Sequence, residues 1–174
     1  MTGASTAHLV LIGMMGSGKS SAAEGVAAAR SMAWCDLDIE IERSAGRSVR
    51  EIFAADGEAG FRDLERAALA EALASATPRV IAAGGGIVVT PESRALLRGT
   101  VCVYLRATIA TLLRRLEHAE DRPLLDGDRA GVLSSLLEAR SPLYDGVATA
   151  VVDVDDLDLA ATVAAICATV EASC

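Results

Sequence analysis

A chain of 174 residues, 52% hydrophobic and 23% charged, is long enough for one globular domain with a single core and too short for two. Its formal net charge of −8 excludes sequence-independent nucleic-acid binding, which needs a surplus of basic groups to neutralise phosphate. Residues Met1 to His8 lack the basic flank and apolar run of an export signal, and no apolar stretch reaches the roughly 20 residues of a membrane-spanning helix, so a cytoplasmic protein without membrane contact is expected.

Apolar runs at His8 to Ile12, Trp34 to Leu37, Val80 to Ala83, Val101 to Leu105 and Ala150 to Val154 each read as one strand. Helix-forming stretches separate them: Lys19 to Arg30, Gly60 to Ala76, and a closing segment from Asp156 whose Leu159, Val163, Ile166 and Val170 suit a core-facing stripe. This alternation predicts a three-layered α/β fold, a central five-stranded parallel sheet flanked by helices. Two excursions, Asp38 to Glu58 and Glu117 to Gly131, fit it poorly. Both lie beyond strand carboxyl ends, the edge at which open parallel sheets bind ligands. Cys35, Cys102, Cys167 and Cys174 form no CxxC pair and read as buried thiols of a reducing compartment.

Gly13 to Ser20 reads GMMGSGKS, a full G-x-x-x-x-G-K-[ST] phosphate loop between an apolar strand and an alanine-rich helix. Glycines let backbone N–H groups curl around phosphate, and the helix N-terminus adds a positive dipole end. Lys19 is placed to reach the β- and γ-phosphates and Ser20 to offer a hydroxyl to Mg²⁺. Gly16, Ser17, Gly18, Lys19, Ser20 and Ser21 are therefore the candidate nucleotide contacts. Lys19 is the only lysine, so the N-K-x-D guanine reader of a GTPase cannot be built. Val80 to Ala83 leads into Gly84-Gly85-Gly86 and Val101 to Leu105 into Arg106, so neither supplies the carboxylate of a mechanical ATPase.

Asp36 and Asp38 follow the second strand two positions apart, and strand periodicity projects both carboxylates from one face. One can serve a metal and the other an acceptor hydroxyl; the alternative is an acidic helix start with Asp38 as N-cap. Arg62 and Glu65, three apart on one helical face, read in isolation as a surface ion pair. Arg140, at the end of another predicted helix, reads in isolation as a C-terminal cap.

In order along the chain, GMMGSGKS, DLD, GFRDLE, GGG, DRPLL and ARSPLY resemble the shikimate kinase family, and the resemblance covers nearly the whole sequence. It implies a single P-loop kinase domain over residues 1–174, with a shikimate-binding helical excursion at about 38–65 and a lid at about 117–131. It also implies Mg²⁺-dependent transfer of the ATP γ-phosphoryl group to the 3-hydroxyl of shikimate, on the route to chorismate and the aromatic amino acids, by a monomer whose partners are ATP and shikimate. By the same resemblance Asp38 binds the shikimate hydroxyls and helps accept a proton, and Arg62 and Arg140 clamp the carboxylate. Gly85 lets backbone approach the substrate, Asp36 supports Mg²⁺ through water, Arg122 closes over the phosphates from the lid, and Arg115 stacks on adenine.

After the last strand, family members often carry a basic residue and a proline, whereas this chain reads Val154-Asp155-Asp156-Leu157, which predicts weaker ATP affinity. Two other readings share the phosphate loop. One is a gluconate or nucleoside monophosphate kinase, which a panel of acceptors distinguishes. The other is a kinase-like binding protein without turnover, which retention of Lys19, Asp38 and the arginines argues against.

Overall fold

The computed structural model describes residues 7–117 and 128–172. Its strands are β1 (Leu9–Ile12), β2 (Ala33–Asp36), β3 (Arg79–Ala82), β4 (Val101–Arg106) and β5 (Ala150–Asp153). All pair in parallel, in the order β2-β3-β1-β4-β5, the five-stranded sheet expected from the alternation of apolar runs. Helices cover both faces, so the inner strands are buried on two sides and read as unbroken apolar runs. Val10, Leu11, Ile81 and Val103 have no exposure, whereas Trp34 and Val151 on the edge strands keep part of their surface in solvent.

Register brings the functional segments to one edge. Leu11 and Asp36 both lie opposite Ala82, so β1, β2 and β3 end level. The phosphate loop, the acidic residues after β2 and the glycines after β3 therefore leave the sheet side by side.

Helix α1 (Lys19–Arg30) has the bounds read from sequence, and α2 (Leu37–Ala45) and α3 (Val49–Leu73) follow β2. The excursion after β2 is thus helical throughout most of its length. Its own small core of Ile41, Ile52 and Phe61 holds it together, with the Phe53 and Phe61 rings 4.6 Å apart. A capping box between Ser48 and Glu51 starts α3. Gly57, at φ 71° and ψ −176°, breaks α3 into two arms, a conformation that glycine adopts without steric cost. The second arm carries Phe61 to Glu65.

The remaining helices are α4 (Pro91–Leu97), α5 (Ile109–Leu116), α6 (Arg129–Asp145) and α7 (Leu159–Ala172). Two expectations change here. The buried stripe of α7 runs through Thr162, Ile166 and Val170, and its backward continuation falls on Asp158, so Leu159 is 52% exposed rather than core-facing. Helix α6 continues through Pro142 to Asp145, so Arg140 lies inside a helix and does not cap its end. Cys35 and Cys102 are buried and free, Cys167 is half-buried, and Cys174 lies outside the described residues. Burial pushes the Cys102 thiol up to about 12 and the Cys35 thiol above its ordinary value, which keeps both protonated. No helix among the described residues is long and apolar enough to cross a membrane.

Candidate active site

The phosphate loop closes on itself through Ser17 N–H, which donates to the Met14 carbonyl at 3.1 Å. Gly18 then caps α1 in the left-handed region, at φ 92° and ψ 19°, with no side chain bonded to the first-turn amides. Those amides and the dipole end of α1 form an anion cradle. The Lys19 ammonium is buried and donates to the carbonyls of Gly13 and Met14, each at 2.9 Å. A cavity of about 330 Å³ opens beside the loop, lined by Gly16, Gly18, Lys19, Ser20, Ser21, Arg115 and Leu116.

Ser17 is absent from that lining. Its side chain is buried under the loop, and its hydroxyl finds no partner among the described residues. Arg115 donates to Ser17 O at 3.0 Å and to Val154 O at 2.9 Å, tying the loop to the turn after β5. The departure at Asp155 has a structural use, since its carboxylate accepts from Thr108 N at 2.9 Å and Thr108 Oγ1 at 2.8 Å at the start of α5. Hydrogen bonds from Thr111 and Thr108 hold the Asp155 carboxyl below its ordinary pKa.

Strand periodicity does not govern the aspartate pair, because the chain turns into α2 directly after Asp36. Asp36, not Asp38, is the N-cap: its Oδ1 accepts from Asp38 N at 3.0 Å. Its Oδ2 accepts from the Ser20 hydroxyl. Two hard oxygen donors thus sit side by side at the mouth of the phosphate loop. Such a set fits Mg²⁺, which takes one or two protein oxygens and fills the rest of its octahedron with water and phosphate.

Asp38, in the first turn of α2, faces a different neighbourhood. A Cβ placed on Gly84 would lie 2.5 Å from Glu65 Oε1 and 3.1 Å from Asp38 Oδ1, so both carboxylates converge on the glycine turn after β3. Arg62 Nη1 donates to Glu65 Oε2 at 2.6 Å, and Nη2 and Nε reach Glu58 Oε1 at 3.2 and 3.4 Å. Arg62 is 8% exposed and Glu65 1%, so the pair is buried, not the surface pair read from spacing. The reason is the second arm of α3, which lays this face against Gly84 to Gly86.

Arg140, 5% exposed, approaches from α6 and donates from Nη1 to the Gly85 carbonyl at 3.1 Å. Gly85 in turn lies against the phosphate loop: a Cβ there would be 3.2 Å from Met15 N. Burial pushes the Glu65 carboxyl above its ordinary pKa, Arg62 pulls against this, and the Asp38 charge adds to the rise. Burial opposes the charge on Arg62, and the Glu65 and Glu58 carboxylates more than offset it, raising the guanidinium's pKa. Two guanidinium groups and two carboxylates therefore surround a glycine turn that touches the phosphate loop. Such a pocket can seat an acidic, hydroxylated acceptor beside bound phosphate.

Glu65 is visible in the sequence only as the partner of Arg62, and Gly84 and Gly86 are not singled out there as site residues. Three glycines in a row after an apolar strand were the available signal, because they leave room for the large side chains that crowd the turn. A Cβ on Gly86 would collide with the Arg62 guanidinium. Gly86→Ala is expected to displace that group and raise the acceptor KM by roughly 10- to 100-fold, with ATP KM almost unchanged. Steady-state kinetics with each substrate varied in turn checks this. Arg122 and most of the expected lid lie outside the described residues.

Comparison with known proteins agrees with this geometry. The family model described as shikimate kinase matches residues 15–171. A shikimate kinase of Salinispora arenicola is 42% identical over 146 residues, covering 84% of this chain and 87% of that protein. One from Caulobacter vibrioides is 45% identical over 138 residues, covering 78% of this chain and 68% of the relative. The solved structure of shikimate kinase from Acinetobacter baumannii in complex with shikimate superposes with a TM-score of 0.93 at 29% identity, over 97% of this chain and 95% of that one. With the family model spanning residues 15–171 and relatives above 40% identity over most of the sequence, the chain belongs to the shikimate kinase family.

Proposed function

We propose that the chain is a shikimate kinase that transfers the γ-phosphoryl group of ATP to the 3-hydroxyl of shikimate, giving shikimate 3-phosphate and ADP. The observation that carries this reading is the junction at Gly85, whose carbonyl takes Arg140 while its Cα faces Met15 of the phosphate loop. An acceptor held by the two arginines is thereby brought next to the nucleotide. The clamp residues on α3 and α6 converge on the same glycine turn after β3, which supports the reading of a single domain.

In this reading Arg62 and Arg140 bind the shikimate carboxylate, and their planar forks fix the ring's orientation. Asp38 binds the acceptor hydroxyls and takes the proton of the attacking one as the O–P bond forms. Lys19 and the α1 amides hold the phosphates, with Gly16, Gly18 and Ser21 shaping the cavity and Ser17 contributing its backbone. Arg115, fixed by its two carbonyl acceptors, presents a guanidinium face for adenine. Arg122 is assigned the closing role over the phosphates. Ser20, and Asp36 through water, would hold Mg²⁺, which when bound offsets charge on the β- and γ-phosphate oxygens.

Removal of divalent metal with EDTA is expected to abolish turnover, with recovery on adding Mg²⁺. Ser20→Ala should raise the Mg²⁺ concentration at half-maximal rate by roughly tenfold, about 1.4 kcal/mol of lost metal binding. An unchanged Mg²⁺ requirement would contradict the assignment of Ser20. The product itself tests the reaction: ³¹P and ¹H NMR should place the phosphoryl group on the 3-hydroxyl of shikimate, and phosphorylation elsewhere would overturn the proposed orientation.

A further inference from the structure

The Gly85 carbonyl accepts two hydrogen bonds, one from Arg140 Nη1 at 3.1 Å and one from the Tyr144 hydroxyl. Arg140 and Tyr144 lie one turn apart on α6, so both project from the same face. Tyr144 has no exposure, and its ring stacks on Tyr104 with centroids 4.8 Å apart. Tyr104 pairs in register with Ile12, the residue that enters the phosphate loop. The Tyr144 hydroxyl also lies 3.6 Å from Met14 Sδ, inside that loop. One phenol therefore touches the glycine turn, the carboxylate clamp and the phosphate loop.

Donor accounting assigns the bonds. A phenol carries one proton, and of its two acceptors the Gly85 carbonyl is nearer and stronger than the Met14 thioether, so that proton goes to the carbonyl. The lone pairs that remain on the hydroxyl oxygen can accept an N–H of the adjacent Arg140. Burial raises the Tyr144 pKa and Arg140 opposes the rise, so the hydroxyl stays protonated throughout the working pH range.

We propose that Tyr144 is a positioning residue for acceptor binding: its hydroxyl fixes the Gly85 carbonyl and the edge of the Arg140 guanidinium, which aims the remaining N–H groups of Arg140 at the acceptor carboxylate. This inference rests on the shikimate kinase reading. A residue that only filled space would need the ring; this role needs the hydroxyl.

Tyr144→Phe keeps the ring and its stack on Tyr104. It is expected to raise the shikimate KM and Kd about tenfold while ATP KM stays within about twofold. The preference for shikimate over its neutral carboxamide should fall by the same factor, because the lost contact acts through the carboxylate clamp. In an Arg140→Lys background the effect of Tyr144→Phe should shrink to about twofold or less. Unchanged selectivity with a lowered Tm, or equal losses for both acceptors, would overturn the proposal and leave a packing role. Should Tyr144→Phe not fold, the wild-type hydroxyl proton is observed by NMR instead. Slow exchange and a shift on adding shikimate are expected, and no response to shikimate overturns the proposal. Wild-type turnover separates the two readings: without shikimate-dependent ADP release the kinase reading and this inference fail together, whereas an active wild type with an unaffected variant sinks only the inference.

Discussion

Replacing Asp38 with asparagine is expected to lower shikimate-dependent turnover by about 10²- to 10⁴-fold, with the ATP Kd within about twofold of wild type. Asparagine preserves the size of the side chain that faces Gly84 and Glu65, but it cannot take up the proton released by the attacking hydroxyl. Asp36, which caps α2 and holds Ser20, is untouched, so the nucleotide side of the site stays in place. Turnover measured with saturating shikimate, beside calorimetry with ATP, checks both halves. Equal losses in ATP binding and turnover would mean that Asp38 supports the phosphate loop and is not the proton acceptor.

The second large effect is on stability. Arg62→Ala leaves the Glu65 carboxylate buried without its cation, which should cost about 3–5 kcal/mol of folding free energy and raise the shikimate KM at least tenfold. The pH dependence follows from the raised Glu65 pKa. In the unfolded chain Glu65 loses its proton at the ordinary carboxylate value, and in the folded protein only above it. Between those two values the folded state binds more protons, so this group's contribution to stability falls as pH rises. Removing Arg62 takes away the cation that lowers the Glu65 pKa, which widens the window and steepens the fall. Urea unfolding at about pH 5 and about pH 8 should show the variant losing more stability than wild type between them. Adding Glu65→Gln should recover part of the loss, and a loss that is insensitive to both pH and Glu65→Gln would contradict the buried-pair account.

The sequence made the phosphate loop and the sheet legible for a physical reason: strands buried on two faces must be continuously apolar, and a phosphate cradle needs glycines in fixed places. Helix α1 was readable to the residue, because the lysine and serine of the motif also begin the helix. The excursion after β2 was harder. Its two helices divide their buried apolar residues between the main core, which takes Leu37, Leu69 and Ala72, and a small core of their own around Ile41, Ile52 and Phe61, and Gly57 interrupts the second helix, so no single stripe runs along them. Asp36 and Asp38 read from sequence as a pair projecting from one strand face, whereas the geometry that brings them together is a helix N-terminus. Burial of the Arg62 and Glu65 pair was invisible because spacing alone cannot show which side of a helix meets Gly84 to Gly86. Arg140 reads from sequence as a cationic cap at a helix end, whereas the helix continues through Pro142 to Asp145 and places it inside. Leu159 failed for a simpler reason, lying one position away from the four-residue stripe of α7.

The most direct test of the central claim is ADP release with Mg²⁺-ATP in the absence and presence of shikimate, with quinate and gluconate as competing acceptors. Release is expected to depend on shikimate, to exceed that with the other acids, and to disappear in Asp38→Asn. ATP binding without stimulation by shikimate, or greater stimulation by gluconate, would contradict that claim.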